Sequence, residues 1–347
     1  MLADIVNRLK SEYDISVVTF DPVGAQSLYP LSEGITVDNL AIGQSHCKAT
    51  IGETWKRIKS LRHYIKSQKP DLVIGFMHSM FVPASFALIG TGFPIIASEH
   101  IVPQHYNSRR LEFFLFIFSS FFVKRVTVLS ETIKRLYPFI LQMKMVAITN
   151  PVVWPEETVV SEKQKKIILN IGRLSPQKNQ KLLIEAFYHI SQKCKDWRLR
   201  IVGDGALRNM LEDLVSNYGL EKSVEFVGEV SDVSKEYREA SIFVMSSDYE
   251  SFGLVAAEAM SYGIAVVGRD TCPGINELIV HKENGLLVQS DKDNAEGLAE
   301  TIYTLIVSKE YRDDIGARGR LTAENNRIDS VAALWRDLIE DVTCSSK

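Results

Sequence analysis

Residues 246–263 read SSDYESFGLVAAEAMSYG. The apolar run Ile242–Met245 precedes this stretch and a second run, Ile264–Gly268, follows it, so a strand leads through a short polar turn into a helix and back to a strand. The same alternation extends in both directions. Strands are expected at 15–20, 71–76, 95–98, 126–129 and 145–148 in the first half. In the second half they are expected at 166–171, 198–202, 224–227, 242–245, 264–268 and 285–288. Amphipathic segments separate them, the pattern of parallel sheets covered by helices on both faces.

At 347 residues the chain is longer than one hydrophobic core usually grows, which points to two domains. Apolar residues make up 46% and charged residues 24%, the balance of a globular protein. A net charge of -3 gives no global attraction to nucleic acid. Cys47, Cys194, Cys272 and Cys344 are widely spaced, and no signal-like run opens the sequence, so a cytoplasmic location is expected. The apolar run 111–123 (LEFFLFIFSSFFV) is too short for a membrane span and carries Glu112. Two prolines and a lysine-rich stretch at 149–166 mark the expected boundary. This divides the chain into a first Rossmann-like domain at 1–150, a second at 151–325, and a C-terminal helix and tail at 326–347. Val331, Leu334, Trp335 and Leu338 recur at helical spacing, so that helix is expected to pack one face, back on the first domain.

Ligands of parallel sheets bind at the carboxyl ends of strands, which singles out four turns. In GRLSPQKN, Gly172 permits a tight turn, and Arg173 and Lys178 precede a helix expected from Asn179. Two cations beside a helix amino end suit a diphosphate, although alone the loop reads more readily as a solvated basic loop. In GDG, Gly203, Asp204 and Gly205 permit close backbone approach to a ligand, a weak signal by itself. The backbone beyond Val227 either reads a nucleobase or simply ends a strand. In the opening stretch, Glu250 and Glu258 lie eight positions apart, which on a helix returns a side chain to within about 80° of its start. A helix beginning near Ser251 therefore lets both carboxylates face one cleft, with the amides of Ser251, Phe252, Gly253 and Leu254 open to phosphate oxygens.

These turns, the Glu-x7-Glu of ESFGLVAAE and the later CPGINELIVHKENGLLV resemble, in order and spacing, the retaining glycosyltransferases of family 4. The resemblance covers nearly all of 166–288. It implies a GT-B fold, α/β, with two Rossmann-like parallel-sheet domains facing a central cleft. It further implies transfer of a sugar from a nucleoside diphosphate-sugar co-substrate, with no other cofactor and no metal. Arg173 and Lys178 would then neutralise the diphosphate, Glu258 would bind the ribose, and Glu250 with the backbone of 251–254 would hold sugar and phosphate. His100, ending the strand of IIASEH, matches a family position near the donor sugar, or else caps a loop. Asp291 and Asp293 look like a metal-binding pair, but their place before the helix at 295 favours capping. The family's leading strand and glycine-rich loop are missing ahead of the helix at 1–10, and a truncated start is expected.

The segment 54–69 (TWKRIKSLRHYIKSQK) places Trp55, Ile58, Leu61 and Ile65 on one helical side and six cations elsewhere, which fits either an anionic lipid surface or a solvated helix face. Arg109, Arg110, Lys124 and Arg125 flank the phenylalanine-rich run, which is either a shallow membrane contact or core. The expected setting is thus the inner face of the cytoplasmic membrane, with a saccharide or lipid-linked acceptor of surface polysaccharide or lipopolysaccharide synthesis. Two other functions fit the fold: a sugar-nucleotide epimerase, and a catalytically degenerate nucleotide-sugar-binding scaffold.

Overall fold

The computed structural model describes residues 1–25, 27, 29–42, 50–155 and 164–344. Cys47 and residues 156–163 of the expected linker lie outside the described residues. The chain forms two compact units, Met1–Pro151 with Ile328–Lys347, and Val152–Arg327.

The first unit runs α1 (Leu2–Leu9), β1 (Ser16–Thr19), β2 (Thr36–Asn39), α2 (Ile51–Gln68), β3 (Val73–Phe76), α3 (His78–Ala87), β4 (Ile95–Ser98), α4 (Arg110–Ser120), β5 (Arg125–Val128), α5 (Glu131–Leu136), α6 (Phe139–Gln142) and β6 (Met145–Ala147). Its strands form two parallel sheets, β1-β2 and β3-β4-β5-β6. The polar strand β2, TVDN, was not expected. Its only strand partner among the described residues is β1, and a half-exposed edge needs no apolar pattern to pair.

The second unit runs β7 (Ile167–Ile171), α7 (Gln180–Ser191), β8 (Arg198–Val202), α8 (Arg208–Asn217), β9 (Val224–Gly228), α9 (Ser234–Glu239), β10 (Ile242–Val244), α10 (Leu254–Ser261), β11 (Ala265–Arg269), α11 (Ile275–Leu278), β12 (Leu286–Val288), α12 (Ala295–Val307) and α13 (Lys309–Glu324). Its six parallel strands lie in the order β12-β11-β10-β7-β8-β9. Every residue of β7 is buried, because helices cover both faces of the sheet. Asn294, not Asp291 or Asp293, caps α12, its side chain accepting from the Gly297 amide at 2.9 Å. The capping expected of the two aspartates is therefore wrong, and Asp293 is used elsewhere.

The last helix, α14 (Ile328–Cys344), belongs to the first unit, where it packs on α1. Val331, Trp335 and Leu338 enter a core with Ile5 and Leu9, and Arg8–Asp329 and Arg336–Glu12 pairs rim it. Leu334, expected on the buried side, is exposed, while Ile339 and Val342 complete the packed face. In α2 a Thr50–Glu53 capping box opens the helix, and Leu61 and Ile65 are buried, but Trp55 faces solvent.

The Trp335 ring lies 5.6 Å from that of Phe76, tilted by 32°, against this core. Trp335→Ala is expected to destabilise the first unit by about 3–5 kcal/mol. Hydrogen exchange should show faster exchange in α1 and α14, with β7–β12 unchanged.

Candidate active site at the carboxyl edge of the second sheet

In the second sheet β7 is first in the chain yet lies centrally, with β8 on one side and β10 on the other. The chain reverses direction across the sheet there, so the loops after β7 and β10 adjoin and leave a crevice beyond the strand ends. Backbone and side chains knit the two loops together. The Asp248 amide donates to the Gln177 carbonyl at 2.9 Å, Gln177 Nε2 to the Tyr249 carbonyl at 2.8 Å, and Ser246 Oγ to the Lys178 carbonyl at 2.9 Å. Asn179, in the left-handed region at φ 47°, caps α7 through the Leu182 amide and donates its Nδ2 to Asp248 Oδ1 at 3.0 Å.

Out of this seam come Lys178 and Glu250, 2.5 Å apart between Nζ and Oε1 and both largely buried. Ser247 Oγ donates to the same carboxylate oxygen at 2.7 Å. The loop after β11 supports Glu250 from behind: its amide donates to the Pro273 carbonyl, and a Cβ on Gly274 would lie 2.6 Å from its carbonyl oxygen. The CPGINEL motif thus has a local task, which is to let that loop lie against the glutamate's backbone. Burial pushes the Cys272 thiol up to about 12, so it is no ready nucleophile.

Helix α10 begins at Leu254, after Gly253 at φ 76°. Glu250 therefore precedes the helix, and the helical-phase argument linking it to Glu258 does not hold. Glu258 is helical, and its Oε2 accepts from the buried Tyr237 hydroxyl at 2.9 Å. Ala256 and Ala257 donate to the Gly253 carbonyl, whereas the amides of Leu254 and Val255, in the turn that follows Glu250, have no carbonyl to bond within the helix. Phe252 is buried and Ser251 half-buried, so this turn offers a ligand mainly its backbone.

The glycines of GDG approach protein backbone. A Cβ on Gly203 would meet the Gly172 carbonyl oxygen at 2.3 Å, and one on Gly205 the Leu174 carbonyl oxygen at 2.4 Å. Leu174 donates to the Asp204 carbonyl, and Gly203 to the Gly228 carbonyl just beyond Val227. The turns after β7, β8 and β9 are consequently fused backbone to backbone. Asp204 accepts from the Gly205 amide and pairs with Arg208. Gly172 is not at positive φ; its missing Cβ gives room to the Lys178 stem, 3.4 Å away. Arg173 is exposed and, among the described residues, has no side-chain hydrogen bond or ion pair. Val227 lies on the edge strand β9, half-buried.

Arg269 was not singled out from sequence. It forms a bidentate pair with Asp293, a 2.6 Å bond to Asp248 Oδ1, and a bond to the Ser246 carbonyl, clamping the β10 loop to the β11 and β12 ends. An arginine ending a strand carries no motif, so only the strand order reveals it.

His100 belongs to the first unit, at the end of β4. Its Nε2 lies 2.9 Å from Ser98 Oγ and its ring stacks on Phe76. Burial lowers its pKa to about 4. Next to it Glu99, buried, accepts from the amides of His100 and Ile101 and from the Tyr106 hydroxyl, and burial raises it to about 7.

This arrangement, a doubly wound parallel sheet with its polar seam at the reversal of strand order, defines an α/β protein of the GT-B class. Residues 156–322 match the family model of the glycosyl transferases group 1. A Campylobacter jejuni protein named as a GalNAc-alpha-(1->4)-GalNAc-alpha-(1->3)-diNAcBac-PP-undecaprenol alpha-1,4-N-acetyl-D-galactosaminyltransferase is 26% identical, over 98% of this chain and 94% of that protein. Among solved structures, sucrose-phosphate synthase from Thermosynechococcus elongatus matches with a TM-score of 0.85 at 19% identity, over 99% of this chain and 93% of that one. Anabaena HepE in complex with UDP matches with a TM-score of 0.78 at 18% identity, over 98% and 95%. The family match and the named relatives support a glycosyltransferase; the solved structures show the fold.

Gly203→Ala should separate the first two turns, because the substituted residue would sit at φ 124° with its Cβ against a carbonyl oxygen; hydrogen exchange should show faster exchange at 172–179 and 203–207, while Gly52→Ala, whose added Cβ meets nothing within 4 Å, should leave both segments unchanged. His100 binds its proton less readily folded than unfolded, where its value is about 6.5. The unfolded state therefore gains stability as pH falls from about 6.5 to about 4. Denaturant titrations should show the native protein losing stability relative to His100→Gln across that window.

Proposed function

We propose that this protein is a retaining glycosyltransferase that moves a sugar from a nucleoside diphosphate-sugar to a saccharide or lipid-linked acceptor in surface-glycan synthesis. The observation that carries the reading is the Lys178–Glu250 pair set beside the open amides of α10 at the reversal of strand order. A cation and helix-start donors suit a diphosphate, and acids on either side suit hydroxyls. Glu258, oriented by Tyr237, is assigned the ribose. Glu250, oriented by Ser247, is assigned the donor sugar. Arg173 is assigned the phosphates with Lys178. The acceptor class follows the undecaprenol-linked substrate in the Campylobacter relative's name, and the donor class follows UDP in the HepE complex.

In this mechanism the bond between the anomeric carbon and the diphosphate oxygen breaks on the face where the acceptor hydroxyl arrives. The departing oxygen takes the acceptor's proton, and the new glycosidic bond keeps the anomeric configuration. Charge growing on the diphosphate is met by Lys178, Arg173 and the α10 amides, so the reaction requires no metal. With UDP-sugar as donor, Lys178→Ala is expected to lower kcat by about 10²–10³-fold with a smaller effect on donor Kd. EDTA should leave the native rate unchanged, and NMR should show product with the donor's anomeric configuration. An unchanged kcat in the variant would remove Lys178 from the leaving-group role.

Attachment to an anionic membrane is part of the same proposal. No described helix is long and apolar enough to cross a membrane. On α4, Phe116 is core, whereas Leu111, Phe114 and Phe118, with Phe121 and Phe122 just beyond, are exposed. Lys144 holds the carbonyls of Ser120 and Val123, which brings the exposed Phe139, Ile140 and Met143 segment to the same end of α4. A contiguous apolar patch of this kind, with Arg109, Arg110, Lys124 and Arg135 exposed around it, suits an interfacial contact. In α2, Arg57 and Arg62 are committed to backbone carbonyls, leaving Lys56, Lys59, Lys66 and Lys69 exposed. The protein should float with phosphatidylglycerol vesicles at low salt, and Phe114→Ser/Phe118→Ser should remain in the soluble fraction.

A further inference from the structure

Arg269 closes β11 at a place where a charge is out of keeping with its row. Ala265 and Val267, four and two positions earlier on the same face, belong to the core cluster of the second unit. Arg269 continues their row at the carboxyl edge with only 11% of its side chain exposed. A guanidinium buried there needs partners of opposite charge, and it has two. Asp293, equally buried, takes Nε and Nη2 through its two oxygens at 2.6 and 2.7 Å, and Asp248 takes Nη1 at 2.6 Å. Nη1 also donates to the Ser246 carbonyl at 3.1 Å. These four bonds draw on a group with only about five N–H donors, so this cation has little left to offer a ligand.

The two carboxylates differ in how firmly they are held. Asp293 accepts from Thr271 Oγ1 at 2.7 Å and directly precedes Asn294, the cap of α12. A Cβ on Gly297 would lie 2.0 Å from the Lys292 carbonyl oxygen, so the turn that carries Asp293 rests against the first turn of the helix. Asp248, by contrast, is 47% exposed and stands in a loop beside the Lys178–Glu250 pair. Its amide donates to the Gln177 carbonyl and its Oδ1 accepts from Asn179 Nδ2, so both chain neighbours of Lys178 are tied to this one residue. Arg269 also grips Ser246 and Asp248, the two neighbours of Ser247, whose hydroxyl donates to Glu250. A single guanidinium thus stands behind the supports of both members of the pair.

We propose that Arg269 is a positioning residue for sugar transfer: braced on Asp293, it fixes Asp248 and Ser246, and through them sets Lys178 against Glu250 while charge grows on the departing diphosphate. This rests on the proposed function, which assigns that pair to the diphosphate and the donor sugar. The task calls for a planar fork, because one edge must meet a bidentate carboxylate while another meets a second carboxylate and a carbonyl. Lysine has the charge without the fork, and its ammonium cannot hold both acids at set angles. The reaction should feel the loss of Arg269 more than donor binding does. Glu258, oriented by Tyr237, and the amides of Leu254 and Val255 are held by contacts that do not include Arg269, whereas the leaving group is stabilised only while Lys178 stays in place.

Arg269→Gln alone would strand the buried Asp293 carboxylate, so the informative variants are Arg269→Lys, which keeps the charge, and Arg269→Gln/Asp293→Asn, which removes both charges together. Turnover is measured with whichever of UDP-glucose, UDP-galactose, UDP-GlcNAc and UDP-GalNAc the native protein accepts, and with a lipid-linked saccharide as acceptor. Both variants should lose at least about tenfold in kcat, while the Kd for UDP moves by less than about threefold. Hydrogen exchange without ligand should be at least about fivefold faster at 176–180 and at 246–250, with 203–207 and 224–228 unchanged. Faster exchange in all four segments, with UDP weakened as much as kcat, would mean general loosening and overturn the proposal. Native kcat in both variants, or unchanged exchange at 176–180, would overturn it as well, since Lys178 would then be independent of Arg269. Absence of transfer by the native protein would overturn the sugar-transfer reading and this proposal with it; the exchange result, which needs no substrate, shows which of the two has failed.

Discussion

The contact on which the second unit's site depends is carbonyl against glycine. Gly203 and Gly205 let the turn after β8 rest on the carbonyls of Gly172 and Leu174, and Gly274 does the same for the loop that backs Glu250. No side chain fits at those three places. Loops of different strands are thereby set at fixed distances before any side chain acts, which is the condition for holding a ligand with several groups at once. Lys178 and Glu250, 72 positions apart in sequence, meet because β7 and β10 are neighbours and their loops are sewn together.

The ion pair itself has a consequence for chemistry. A largely buried lysine beside a carboxylate is held at one spot, stretched over Gly172, with its charge already compensated. On the proposed function, a diphosphate arriving there would share a cation that is already oriented, with no costly reordering of a long side chain. Glu258 is oriented from a different direction, by a tyrosine that stacks on Tyr262 in the core. Arg269, Asp248 and Asp293 tie the β10 loop, which leads to Glu250, to the ends of β11 and β12.

Much of the strand–helix alternation was legible because apolar β-branched runs are short and amphipathic helices long. The short polar strand β2 was not, since TVDN carries no burial signal. Helix faces were readable where packing is one-sided, as for Val331, Trp335 and Leu338, and misleading where a single residue faces out, as for Leu334 and Trp55. The residues of the seam could be named, because residues after strands in parallel sheets gather at one edge. Their pairing could not, because strand order is a tertiary fact. The same limit hid Arg269, disguised the purpose of Gly203 and Gly205, and placed Glu250 on a helix that starts four residues later. An Asp-x-Asp before a helix suggested a cap, yet Asn294 sits at the capping position and Asp293 is drawn to an arginine across the sheet.

The most direct measurement of the central claim is backbone hydrogen exchange with and without saturating UDP. The account predicts slowed exchange concentrated at 172–179, 203–205 and 250–258, where the fused turns and the start of α10 meet a diphosphate. Unaltered exchange in all three segments, with UDP bound, would contradict it.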